Sequence, residues 1–267
     1  MAVEHSNSQS RWYRLNEITI RTLMTDCRYT HGPKTCQKCF SPNKNELRLG
    51  DWRLVNNPGY YGSANPEILV LGFSKGANQN RAAEQGDFDR IAFADARHRL
   101  QRLLEVMGVM PKDRSIDQLM TGKEHQFGVA SLVRCSFSKL KDGVWKTSGD
   151  VIPSAFKDPD TLAIIRTCGS QHLGALPASV KLVVLLGTDD RYIKETQNIM
   201  KMLHGDWKSV NSVAFTASGA LWVHATHPSK GNGHFKAWVD GSSQEKSGFK
   251  RELVLQALRS VGLGVKK

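Results

Sequence analysis

Short aliphatic runs punctuate this chain, and most are followed by a stretch with helical spacing. Residues 67–73 (EILVLGF), 127–135 (FGVASLVRC) and 180–187 (VKLVVLLG) are apolar at nearly every position. Runs of that length, ended by glycine or by polar residues, predict strands buried on both faces. Residues 212–217 (SVAFTA) and 220–226 (ALWVHAT) predict two more. Between them lie helical patterns. Residues 96–109 put Leu100, Leu103, Leu104 and Met107 on one face, with Gly108 as the stop. Residues 160–176 predict a helix capped by Asp160, and 11–24, 189–203 and 248–262 predict three others. Strands alternating with helices indicate an α/β fold with a mostly parallel sheet between helical layers. No internal repeat breaks the pattern, so residues 1–267 are expected to form a single domain, with a helical and cysteine-bearing segment over about 1–50.

In such sheets ligands bind outside the carboxyl ends of the strands. Three loops leave those ends, at 72–81, 135–143 and 226–235, and each contains Ser-Lys. Lys75, Lys139 and Lys230 are therefore expected to converge on one rim as phosphate grips. Charge supports a polyanionic partner: 37 Lys and Arg against 25 Asp and Glu give a formal +12. No apolar run approaches the roughly 20 residues that span a bilayer. The first residues carry no signal-peptide core, so a cytoplasmic protein with no membrane partner, acting as a monomer, is expected.

Five cysteines stand at 27, 36, 39, 135 and 168. In a reducing compartment they point to metal ligation, reactive thiols or burial rather than to disulfides. Cys36 and Cys39 form a Cys-x-x-Cys pair, the spacing at which two thiolates grip one metal centre. Cys135 and Cys168 are distant in sequence and could complete a 4Fe–4S cluster or a structural zinc site, or be buried free thiols. Cys27 is then the odd thiol, or a substitute for Cys36.

The motifs CQKC, ANPEILVLGFSKGANQNR, VASLVRCSFSK, RTCGSQHLGAL, VVLLGTDD and THPSKGNGHF follow one another over about residues 36–240. In that order they resemble the uracil-DNA glycosylase superfamily, nearest its iron–sulfur, family 4-like branches. The resemblance implies a three-layer α/β/α sandwich with a central, mostly parallel four-stranded sheet. It implies base excision repair: a uracil or another deaminated base is flipped from single- or double-stranded DNA and its N-glycosidic bond is hydrolysed. It implies a 4Fe–4S cluster on Cys36, Cys39, Cys135 and Cys168, and makes His227 the donor to the departing base.

Further positions follow from the same resemblance. Gly72 and Phe73 belong to the first motif, Phe88 (in preference to Phe93) is the platform for the flipped base, and Ser131 stands where relatives often read the base with Asn. Ser229, Lys230, Gly231 and Asn232 would face the minor groove, with Phe235 as the wedge. The first motif lacks the usual water-holding carboxylate. Ser74, Asn78 and Asn80, or the later Glu84, Asp87 and Asp89, are left to position water. With Ser for Asn, a broad or slow enzyme is expected. The alternative is a non-catalytic nucleic-acid-binding protein with a structural metal site. A nucleotide-using enzyme is disfavoured, because residues 72–81 lack the P-loop spacing.

Overall fold

The computed structural model describes residues 27–76, 79–80, 86–147, 149, 151–242 and 244–264. The helix expected at 11–24, Asn78, Glu84 and the side chain of Cys27 lie outside the described residues. Among the described residues there are twelve strands: β1 (Gly32–Pro33), β2 (Glu46–Leu49), β3 (Trp52–Val55), β4 (Gly59–Gly62), β5 (Ile68–Gly72), β6 (Phe127–Ser131), β7 (Ser136–Lys141), β8 (Val144–Lys146), β9 (Leu182–Leu186), β10 (Lys208–Asn211), β11 (Ala214–Ala217) and β12 (Ala220–Ala225). Six α-helices accompany them: α1 (Arg97–Val106), α2 (Val151–Ala155), α3 (Pro159–Leu173), α4 (Asp190–Leu203), α5 (Phe235–Asp240) and α6 (Lys246–Ser260).

The α/β class is as the pattern indicates, but the sheet is larger and more mixed than a four-stranded parallel one. Eight strands run in the order β1-β4-β6-β5-β9-β12-β11-β10. The central four, β6-β5-β9-β12, are parallel to one another. The flanking strands β1, β4, β11 and β10 pair antiparallel. Except for β11, these were missed because they are short and carry no aliphatic run; β4 reads Gly-Tyr-Tyr-Gly. A second, four-stranded antiparallel sheet, β2-β3-β7-β8, comes from sequence that reads as polar loop. Its strand β7 occupies most of the 135–143 segment expected to be a loop.

Period-two alternation explains how the central strands are covered on both faces. Ile68 and Val70 of β5, Leu182 and Val184 of β9, and Leu221 and Val223 of β12 enter one core, which also holds Leu100, Trp238 and Leu258. Leu69 and Leu71, Val183 and Leu185, and Trp222 enter a second core with Phe73, Ile165 and Tyr192. Each such fully buried side chain contributes about 1.5–3 kcal/mol. Helix α4 starts where expected, with the Asp189 carboxylate accepting from the backbone N–H of Arg191 and Tyr192, both at 3.0 Å. In α3 the cap is Asp158 rather than Asp160: its carboxylate accepts from the Thr161 N–H at 3.0 Å, with Pro159 in the first turn. Among the described residues no helix is long and apolar enough to cross a membrane.

Candidate functional site

Two cavities hold the chemistry-bearing residues. The first measures about 360 Å³ out to its open mouth and is lined by Cys36, Cys39, Cys135 and Cys168. Three separate segments deliver these thiols. Cys36 and Cys39 come from the loop between β1 and β2, and Cys135 from the residue before β7. Cys168 lies on α3, where Ile164, Cys168, Gln171 and His172 fall on one face at helical spacing.

Burial pushes the Cys135 thiol up to about 11 and the Cys168 thiol up to about 12, and the other thiols push in the same direction. Burial also raises Cys39, with Cys36 adding to it. The four sulfurs therefore feel one another electrostatically. Among the described residues no three His, Cys, Asp or Glu side chains are already drawn into a metal-holding group, so the thiols share a cavity without closing on one point.

The wall of this cavity carries Arg134, only 2% exposed. Its backbone N–H donates to Cys168 Sγ at 3.3 Å. Its guanidinium lies 5.9 Å from the Tyr29 ring centroid and 5.7 Å from that of Tyr60. Among the described residues none of its three side-chain nitrogens has a hydrogen-bond partner.

The second cavity opens at the carboxyl ends of β5 and β6. It is lined by Gly59, Tyr61, Lys75, Gln79, Phe93 and Ser131, with Ala92, Val129 and Ala130. Gly72 and Ser131 are register partners at the ends of the two strands. A Cβ on Gly72 would lie 3.8 Å from Ser131 Oγ and 4.0 Å from the tip of the Phe93 ring. The Tyr61 hydroxyl is buried with no hydrogen-bond partner among the described residues. Lys75 is 7% exposed and donates to the Asn57 carbonyl. Burial lowers it to about 8, the Cys135 thiol pushing it up and Arg134 down.

His227 follows β12 and does not line this cavity; its ring centroid lies 6.3 Å from that of Phe93, which does. Burial, reinforced by Arg99, lowers His227 to about 4. The Ser229 N–H donates to Nδ1 at 3.1 Å. A neutral imidazole that accepts at Nδ1 carries its proton on Nε2, so His227 is held as an Nε2–H donor. Asn232 fixes the loop: its side-chain amide donates to the His227 carbonyl at 2.7 Å and to Thr226 Oγ1 at 2.9 Å.

Other expected residues sit elsewhere. Phe73 is buried in the second core, against Phe137, Phe156 and Tyr192. Phe88 stacks on Tyr61 at 4.3 Å, whereas Phe93 lines the cavity and holds a left-handed backbone with φ of 52°. Phe235 is 8% exposed, opens α5, and lies under the Arg99 guanidinium at 4.1 Å, so it is a core aromatic and not a presented wedge. The exposed positions of that loop are Lys230, Gly231, Gly233 and His234.

The three lysines do not form one solvent-facing rim. Lys75 is buried, Lys139 lies in the second sheet with its ammonium 4.9 Å from the Trp52 ring centroid, and Lys230 is exposed. Ser74 is half-buried beside Lys75. Asn80 is engaged by Ser136 Oγ and by the Asn57 amide at 3.3 Å. Asp87 caps the turn Phe88–Arg90 and pairs with Arg90. Asp89 pairs with His31 Nε2 at 2.9 Å, and the His31 ring lies edge-on to Tyr61 and Phe88.

Sequence reasoning missed Tyr61, Lys75 as a cavity residue, Asn232 as a clamp, His31 and Arg134. Glycine-flanked tyrosines in GYYG and an Asn between glycines in GNG were the only local signals. No known protein-family model matches the chain, and a search of curated proteins returns no match.

Proposed function

We propose that this protein is a DNA glycosylase that extrudes a deaminated base and hydrolyses its N-glycosidic bond. The observation that carries this reading is His227, held as a neutral Nε2–H donor beside Phe93 at the carboxyl edge of the parallel centre of a mixed sheet. Glycosidic cleavage leaves an oxocarbenium-like sugar and an anionic base. A fixed donor at the base oxygen stabilises that charge as it forms, an effect worth about 10²–10³ in rate. A neutral donor suits this task because it does not have to be charged first.

The rest of the cavity supports base binding. Phe93 supplies an apolar ring and Ser131 Oγ a hydrogen-bonding group for a base edge, with Tyr61 also in the wall. The Lys75 ammonium adds positive charge where the base would leave as an anion. No carboxylate lines this cavity among the described residues. Asp89, paired with His31 on the Tyr61–Phe88 side, would be the carboxylate to hold water. The exposed Lys230–Gly231 turn beside His227 suits contact with the DNA backbone.

The cysteine cavity fits a 4Fe–4S cluster, because four thiols and no carboxylate line it and soft sulfur donors select iron–sulfur or zinc. Cys36, Cys39, Cys135 and Cys168 would hold it. When bound, it supplies a cross-link between the loop before β2, the chain entering β7, and α3. The test is incubation of metal-replete protein with strands containing uracil, hypoxanthine or xanthine, followed by alkali. Scission at one or more of these bases, lost in His227→Ala, is expected; three intact strands would overturn the reading.

The second reading is a non-catalytic nucleic-acid-binding protein with a structural metal site. The missing carboxylate in the cavity wall favours it. Tight binding of abasic or damaged strands without scission would select it.

A further inference from the structure

A buried guanidinium with no anion beside it is costly. Taking one charge out of water costs several kcal/mol even after relaxation, and uncompensated buried charges are rare for that reason. Arg134 is such a group: it is 2% exposed, its Nε and both Nη atoms have no hydrogen-bond partner, and it forms no ion pair with a carboxylate among the described residues. The ionisable groups that act on it are Tyr29, Cys168, Tyr60 and Arg28, and Arg28 is itself a cation.

Two tyrosine faces at 5.7–5.9 Å offset part of the cost but supply no net charge. A second buried cation, Lys75, stands near Cys135 and also has no carboxylate partner among the described residues. Arg134 lines the cavity that the four thiols share, whereas Lys75 lines the other cavity and only acts electrostatically on one of those thiols, Cys135. Four thiolates on a 4Fe–4S cluster or on zinc leave a net negative charge, whereas four protonated thiols leave none.

We propose that Arg134 is the internal counter-cation of the metal–thiolate centre, so that the buried positive charge and the anionic centre stabilise each other. This rests on the metal-site reading given above. Arg134 acts through the electrostatics of the site and ligates nothing, so it is a positioning and tuning residue. A fixed cation beside a one-electron centre favours the more reduced, more negative form and raises its potential.

The test compares wild type, Arg134→Met and Arg134→Lys, each with and without metal. Metal analysis of the wild type comes first: a chain that takes up neither iron nor zinc removes the metal reading and this inference with it. With metal bound, Arg134→Met is expected to melt below wild type and lose metal faster to a chelator, by about tenfold or more. Stripped of metal, the same variant is expected to melt above wild type, because the uncompensated charge is gone. That reversal of sign is what a purely structural arginine cannot give.

For an iron cluster, the reduction equilibrium in Arg134→Met should shift at least tenfold toward the oxidised form, about 59 mV for one electron. Arg134→Lys, which keeps the charge, should recover part of both effects. Metal bound equally well with an unchanged potential, a variant less stable in both states, or one that folds in neither state would each overturn the role of Arg134 while leaving the metal site standing.

Discussion

The cysteine cavity and the region around His227 and the Phe93-lined cavity differ in how their polar groups are held. Around the thiols, Arg134 has three side-chain nitrogens without partners, and the sulfurs come from three segments far apart in sequence. Around His227 almost every polar group is tied. Ser229 fixes the imidazole, Asn232 fixes the loop, and Asn57 joins Ser136 and Asn80 beneath Lys75. The exceptions are the Tyr61 hydroxyl and Arg99 Nε, both buried without a hydrogen-bond partner among the described residues. One region is thus electrostatically incomplete as a whole and suits a resident charged group. The other is largely a pre-set donor array, which suits a visiting ligand.

The largest effect expected from breaking this contrast is at the thiols. Cys168→Ser should abolish metal retention and lower stability by several kcal/mol, because metal binding and folding are linked. Metal per chain and thermal melting check it; full metal retention would separate Cys168 from the site. Next, Lys75→Met should cut excision about 10–100-fold, the value of about 1.5–3 kcal/mol for a charged hydrogen bond, with metal content unchanged. Lys75→Arg should fall between the two. Equal rates in all three would return Lys75 to a structural role.

Acid sharpens the difference in a second way. Burial lowers His224 to about 3 and His227 to about 4, below the unfolded value near 6.5. Between those values the unfolded chain binds protons that the folded chain does not, so stability falls as pH drops from about 6.5 toward 4. The two histidines should remove on the order of a few kcal/mol over that window. Chemical denaturation at stepped pH measures it, and His224→Gln should flatten part of the slope. Excision by the folded protein should not fall near pH 6.5, since His227 stays neutral there. The smallest effect is expected at the surface: Lys230→Ala should weaken DNA binding a few-fold and lower its salt slope by about one.

What could be read from the sequence followed the range of the physics involved. Cys36 and Cys39 are legible as a pair because only three positions separate them and they line one cavity, and the central strands because double-sided burial leaves an uninterrupted aliphatic run. His227 is legible as the end of such a run. Tyr61 and the place of Lys75 in the cavity wall were not, and Phe93 was ranked behind Phe88, because their orientation into a common cavity depends on the pairing of β4 with β6 and on the chain after β5. Phe235 misled for the same reason: α5 has six residues, too few to reveal an apolar face, so a core aromatic read as part of an exposed loop. The second sheet was hidden by its polar strands, in which Arg48 and Arg53 share Glu46 and lie over Trp145.

The most direct test of this division of labour is the single-turnover excision rate of His227→Ala on uracil-, hypoxanthine- and xanthine-containing strands, read alongside its metal content and melting temperature. A rate loss of about 10²–10³-fold is expected at whichever base the wild type removes, with metal content and melting temperature unchanged. An unchanged rate, or a loss that appears only together with loss of metal, would contradict the assignment of chemistry to this cavity.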